Sequence, residues 1–360
     1  MKKILVITNH SYMLYRFRFE LLQKLAQEHK VVISTPFTGH EEDFQAAGLP
    51  CIETEVDRRG INPKKDFSLL RRYKKLLKEE KPDLVITYSI KPNIYAGIAC
   101  TSLKIPFYAN VQGLGTAFQK PGIAQFVTLL YKYAFRKVRK VFFENEANAE
   151  EFRKRKVLSR DRQVVLHGAG INLERYPMQP YPRNDKVHFL YLGRIMKEKG
   201  IDELLSAVKK LQQEGQSFHL DLVGFFEDAY KEQIDALVSD GLATFHGFQA
   251  DPRPYYANAD CVILPSYHEG MSNVLLEAAA TGRPLITTDI PGCCEAVAPG
   301  QSGLLVPSKD PQALYDAMKH FLSLSPGCRA QMGKAGRKKM EQEFRKEDII
   351  AQTIQAFDLK

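Results

Sequence analysis

Two α/β domains, each built on a doubly wound parallel sheet, are the fold class this chain predicts. Its 360 residues exceed what a single hydrophobic core usually supports. Its short apolar runs recur at intervals that leave room for a helix between neighbours, the pattern of parallel strands buried on both faces. The runs fall into two series, and between them three prolines around residue 180 forbid any regular element.

The first run, 4–8, follows Met1-Lys2-Lys3 and stops at Asn9-His10. That is too short for a signal-peptide core or a membrane span, so it reads as a first strand. Runs at 31–35, 84–88, 107–111 and 141–144 complete the first series. Between them, residues 62–78 form a basic amphipathic helix, with Leu69, Leu70, Tyr73, Leu76 and Leu77 roughly on one side. Residues 123–141 are more apolar, with Phe126, Val127, Leu130, Tyr131 and Phe135 ahead of the basic run 136–140. Such faces suit sheet covering and also adsorption to an anionic membrane.

The prolines at 177, 180 and 182 suggest a hinge, which sets a first domain at 1–176 and a second at 181–335. The second series runs 189–192, 220–223, 243–246, 261–264, 285–288 and 304–306. Closing helices are expected over 312–322 and 337–359, with the segment 336–360 packing back toward the first domain.

Charge is divided unevenly. Residues 1–180 carry 31 Lys and Arg against 18 Asp and Glu, whereas 181–360 carry 20 against 24. The first half should therefore seek an anionic partner. It contains no recognisable nucleic-acid module, so no nucleic-acid partner is expected. Six cysteines at 51, 100, 261, 293, 294 and 328 lack metal-ligand spacing and suit a reducing, cytoplasmic setting. No Asp-x-Asp occurs, so a metal-held diphosphate has no evident ligands and a metal-independent protein is expected. An NAD-type domain is not expected, because 9–18 lacks the glycines that admit a pyrophosphate.

The richest stretch is 266–286. It places Glu269 in a loop after the strand at 261–265, and Glu277 one turn inside the helix that Ser272 or Asn273 would cap. The unpaired amides of that helix start lie between the two carboxylates and suit a phosphate. A diphosphate flanked by hydroxyl-bearing rings matches this layout, which describes a nucleotide-sugar. Upstream, Gly193 and Arg194 stand at a strand end and Lys199 just before a helix, where two cations can neutralise a diphosphate leaving group.

With L-V-G at 222–224, F-H-G-F at 245–248, A-D-C-V-I-L-P-S at 259–266 and G-L-L-V-P at 303–307, these motifs cover most of 187–310. The second half resembles the retaining GT-B glycosyltransferases of family 4. The resemblance implies two Rossmann-like domains facing across a cleft that holds the active site. It implies that Glu277 binds the ribose hydroxyls, Glu269 the donor sugar, and Arg194 and Lys199 the diphosphate beside Gly193, with Glu269, Arg194 and Lys199 carrying the catalytic roles. The backbone of Ser272, Asn273 and Val274 would donate to a phosphate, and His246 to Phe248 would line the base. Glu295 is a further residue placed to reach the site.

The first half is similar to the acceptor domain of bacterial transferases that add N-acetylhexosamine to undecaprenyl-diphosphate-linked glycans, on S-I-K-P-N at 89–93 and N-V-Q-G-L-G-T-A-F at 110–118. That similarity implies a UDP-sugar donor, a lipid-diphosphate-linked saccharide acceptor, and peripheral association with the inner face of the plasma membrane. Two departures stand out. Asn9-His10-Ser11 replaces a glycine pair, and no histidine follows the fourth strand, where Ser89, Lys91 and Asn93 stand instead. His10, Lys91 and Asn93 are the acceptor-side candidates. An epimerase acting on UDP-N-acetylglucosamine and a non-catalytic nucleotide-sugar-binding protein are the competing readings.

Overall fold

The computed structural model describes residues 1–57, 62–115, 118 and 122–359. The chain divides into two compact units, Met1–Ala169 with Ile349–Lys360, and Gly170–Asp348.

The first unit holds β1 (Lys3–Ile7), β2 (Lys30–Thr35), β3 (Cys51–Glu53), β4 (Leu84–Tyr88), β5 (Phe107–Val111), β6 (Val141–Phe143) and β7 (Gln163–Val165). They form one sheet in the order β3-β2-β1-β4-β5-β6-β7, every pair parallel. Successive side chains point to opposite faces. Accordingly Leu5 and Ile7 enter one core with α3 (Pro63–Glu80), α4 (Gly97–Leu103), α5 (Ile123–Ala134) and α6 (Glu146–Lys154). Ile4 and Val6 enter the other with α1 (Ser11–Ala26), α2 (Glu41–Ala46), Ile349 and Phe357. Asn62 and Asn145 cap α3 and α6 by accepting from amides of the first turn.

The second unit holds β8 (Val187–Leu192), β9 (Phe218–Val223), β10 (Ala243–Phe245), β11 (Cys261–Leu264), β12 (Leu285–Thr288) and β13 (Gly303–Val306). Its parallel sheet has the order β10-β9-β8-β11-β12-β13. Around it lie α7 (Ile201–Gln213), α8 (Lys231–Ser239), α9 (Arg253–Asn258), α10 (Asn273–Ala280), α11 (Pro311–Ser323) and α12 (Pro326–Glu343), followed by α13 (Lys346–Ala356).

Three expectations are corrected here and a fourth, left open, is decided. The strands β3 and β7 are additional; each is three residues long and half exposed at a sheet edge, so it lacks the apolar run of an inner strand. The helix expected over 337–359 is two helices, because Ile171 inserts at the break: its N–H donates to Phe344 O at 2.7 Å, and its carbonyl accepts from Lys346 N at 3.1 Å. The expected hinge is stapled to the second unit, since Gln179 N donates to Thr281 O, the Tyr181 hydroxyl to Asp260 O, and the Arg283 guanidinium to Pro180 O. The chain passes between units at 169/170 and 348/349 instead. Finally, of the two uses open to the apolar faces of 62–78 and 123–141, Val127, Tyr131 and Phe135 serve as sheet-covering core and not as membrane contacts, as do Leu69, Tyr73, Leu76 and Leu77.

Candidate functional site

In a parallel sheet, ligands collect outside the carboxyl ends of the strands. In the second unit those ends are tied together backbone to backbone. Gly193 N, just after β8, donates to Val223 O, and Gly224 N, just after β9, donates to Gly247 O, both at 2.9 Å. A Cβ on Gly224 would stand 1.8 Å from Gly193 O, so no side chain fits between these ends. The buried Tyr191 hydroxyl donates to Arg194 O at 2.6 Å and sets the next turn. Arg194 itself, 45% exposed, pairs with Glu227 at 3.1 Å.

Lys199 ends a short turn at Lys197–Lys199. Gly200 follows at φ 73°, where a Cβ would lie 2.0 Å from Pro265 O, so both the turn and the approach to β11 require glycine. Tyr267 N donates to Glu198 O at 2.9 Å, joining the turn to the loop after β11. Across that junction the Lys199 ammonium meets Glu269 Oε1 in a short contact, with both side chains largely buried. Ser266 Oγ donates to the same carboxylate oxygen at 2.8 Å.

The loop continues into α10. Ser272 N donates to Gly292 O at 2.8 Å, so this amide is already occupied; the expectation that it binds phosphate is corrected. Gly292, at φ 88°, lies so near the loop that a Cβ would come within 2.5 Å of Gly270 O. The amides of Asn273 and Val274 have no protein acceptor among the described residues, and as the first turn of a helix they carry partial positive charge. Glu295 turns back to accept from Gly292 N at 2.7 Å, which makes it a support of this loop.

Glu277 is 3% exposed, and its Oε2 accepts from the Tyr256 hydroxyl of α9 at 2.9 Å. His246 is held from the side by Asp221, Nε2 to Oδ1 at 2.7 Å, with the Tyr255 ring 4.8 Å away. Phe248 is exposed, its ring centroid 6.4 Å from that of Phe225, which is exposed to a lesser degree. Tyr256, Asp221, Glu227 and Phe225 were not singled out by sequence reasoning. Only Phe225 left a signal there, as an aromatic directly after the L-V-G motif.

In the first unit the acceptor-side candidates are differently placed. His10 Nδ1 and Thr38 Oγ1 share a hydrogen bond of 2.9 Å, and the neighbouring Ser11 hydroxyl donates to Glu41 at 2.6 Å. Partial burial pushes the Glu41 carboxyl up, but the bonds from Ser11 and the local amides outweigh it and hold the group below its ordinary value. The Lys91 ammonium forms an enclosed ion pair with Asp66 at 2.9 Å. Asn93 is buried and spent on the scaffold: its Oδ1 accepts from Thr87 at 2.6 Å and its Nδ2 donates to Asn110 O at 2.8 Å. It is therefore corrected from acceptor contact to structural staple. Thr116 and Ala117 of the 110–118 motif lie outside the described residues.

Among the described residues no cluster of His, Cys, Asp and Glu is arranged to hold a metal ion, and no helix is long and apolar enough to cross a membrane. Residues 186–323 match the family described as Glycosyl transferases group 1, and residues 3–145 match Glycosyl transferase 4-like. The chain belongs to these glycosyltransferases. The transferase is 26% identical over 332 residues, 86% of each chain, to the N,N'-diacetylbacillosaminyl-diphospho-undecaprenol alpha-1,3-N-acetylgalactosaminyltransferase of Campylobacter jejuni. It is 27% identical to the capsular polysaccharide biosynthesis glycosyltransferase CapM of Staphylococcus aureus, over 94% of this chain and 92% of that one. Among solved structures, Anabaena Alr3699/HepE in complex with UDP and glucose superposes with a TM-score of 0.80 at 16% identity, covering all of both chains. The fold of the transferase is GT-B.

Proposed function

We propose that this transferase moves an N-acetylhexosamine from a UDP-sugar to a polyprenyl-diphosphate-linked saccharide during glycan or surface-polysaccharide assembly, with retention of the α configuration. One observation carries the reading. The Lys199–Glu269 pair links the turn after β8 to the loop that leads into the open amides of Asn273 and Val274, beyond the carboxyl ends of one parallel sheet. A carboxylate there accepts from sugar hydroxyls, and the cation and amides receive the charge that builds on the departing nucleoside diphosphate. Arg194 adds a second cation by turning from Glu227. The leaving diphosphate helps to deprotonate the acceptor hydroxyl, and the charge is neutralised without a metal. The Campylobacter relative, by its name, acts on an undecaprenol-diphosphate-linked acceptor, which supports the same acceptor class here. The basic first unit suits such an acceptor at the anionic inner face of a membrane.

The test is nucleoside diphosphate release from a panel of UDP-, GDP- and ADP-sugars, with and without a short polyprenyl-diphosphate-linked saccharide. Release from a UDP-N-acetylhexosamine that depends on acceptor, persists in chelator and yields an α linkage is expected. The variant Glu277→Gln, which keeps an acceptor for the Tyr256 hydroxyl, should weaken donor binding about tenfold. Epimerisation of the donor without acceptor, or donor binding with no turnover on any acceptor, would overturn the assignment.

A further inference from the structure

Five cationic side chains converge where α5 ends. Lys132, Arg136, Lys137, Lys156 and Arg162, with Phe135 and Val157, line a cavity of about 440 Å3. Among the described residues none of the five has a carboxylate within ion-pair distance. Among the described residues Arg162 donates only to the carbonyls of Phe135 and Arg136 and to the Ser159 hydroxyl, each at 3.5 Å. Asp161 is the one carboxylate whose field reaches the group among the described residues, through Arg162 and short of an ion pair; five cations against one carboxylate repel one another, so the cavity favours an anion that bears several charges.

Its place in the fold separates it from the acceptor-side candidates. Arg162 directly precedes β7, and the chain from Lys137 leads straight into β6, so the cavity lies at the amino ends of these strands. His10 and Lys91 follow the carboxyl ends of β1 and β4, on the opposite edge of the same sheet.

A second observation says what kind of anion belongs there. The outer face of α5 carries Phe126, Leu129 and Tyr133, which are 48%, 63% and 53% exposed. Their spacing of three and four residues puts them in one row. The inner face is also apolar, with Ala124, Val127 and Tyr131 in the core. A helix at the surface of a soluble domain keeps its outer face polar; this one does not. Lys132 and Arg136 flank the row, and the Arg136 guanidinium lies 6.0 Å from the Tyr133 ring centroid. An apolar row edged by cations fits a lipid interface, with side chains among the acyl chains and cations at headgroup phosphates. A free phosphate leaves the row without a role. A nucleic acid makes no use of Leu129, the barest residue in it.

We propose that this face is a membrane-docking surface: a phosphate-bearing headgroup of an anionic lipid sits in the Lys132–Arg162 cavity, and Phe126, Leu129 and Tyr133 insert beside it. The proposal gives the membrane contact inferred above a location, and its test does not depend on sugar transfer. Full-length protein is co-sedimented at low salt with phosphatidylcholine vesicles, with or without one-third phosphatidylglycerol. Wild type should pellet with the anionic vesicles. Leu129→Asp with Tyr133→Asp should lose about tenfold in partitioning, and Arg136→Glu with Lys137→Glu should lose the preference for phosphatidylglycerol. Both substitutions are at exposed positions, and nucleoside diphosphate release with a short-chain, water-soluble acceptor should stay at the wild-type level. Wild-type partitioning by both variants overturns the surface. Binding of inorganic diphosphate or of RNA by wild type, abolished by the charge reversal, with no pelleting on vesicles, overturns the lipid assignment in favour of a soluble anion.

Discussion

Lys199 and Glu269 neutralise one another at a site where both are largely shielded from water. Removing one leaves the other a buried, uncompensated charge. Lys199→Ala should therefore lower thermal stability and reduce kcat by about a hundredfold. The double variant Lys199→Ala, Glu269→Ala should recover much of the stability and none of the turnover. Equal stability in the single and double variants would contradict the pairing. In the first unit, Glu41 titrates below its ordinary 4.5 because it accepts from Ser11 and nearby amides in the folded state. Its contribution is present above pH 4.5 and is lost as pH falls through the lower folded value. The difference in Tm between wild type and Glu41→Gln should thus be full at neutral pH and shrink as pH falls below 4.5 through the lower folded value. At this scale the sequence was legible where spacing along the chain equals spacing in space, as for Glu269, the α10 amides and Glu277. It was silent on partners brought in by packing. Tyr256 reaches Glu277 from 21 residues away, Gly292 takes the Ser272 amide, and Asp66 takes Lys91 across 25 residues.

Among elements, the inner strands were readable because burial on both faces demands unbroken apolar runs. The edge strands β3 and β7 carry no such demand and passed unnoticed. For α5 the sequence left sheet covering and membrane adsorption both open, and the structure puts Val127, Tyr131 and Phe135 in the core. Its outer face bears Phe126, Leu129 and Tyr133 beside a core face of Val127, Thr128 and Tyr131, so composition alone does not separate the two and the packed sheet does. The junction of the Lys199 turn with α7 rests on one atom's absence. Gly200→Ala would drive a Cβ into Pro265 O and occupy a left-handed backbone, so a drop in Tm and a loss of turnover together are expected. A variant with wild-type Tm and activity would show that the turn and β11 are not held as described.

For the whole molecule, the excess of positive charge in the first half was plain from composition; the return of the chain to the first domain was expected from residue 336, whereas the structure places the passage at 348/349. It depends on Ile349 and Phe357 entering a core begun at residue 4. The Tyr108 hydroxyl donates to Phe357 O, and the Phe357 ring packs edge-on against Tyr108 and Phe142, with centroids 5.0 and 5.1 Å away. Deleting residues 349–360 should expose the first unit to limited proteolysis and leave the second resistant; resistance of both would contradict this closure. On the ribosome, the half that emerges first must wait for residues 349–357 before its sheet is covered. Translation therefore finishes the second unit ahead of the first, and until residues 349–357 emerge the nascent chain carries an unsealed hydrophobic surface at Tyr108 and Phe142, a natural place for a chaperone to hold it.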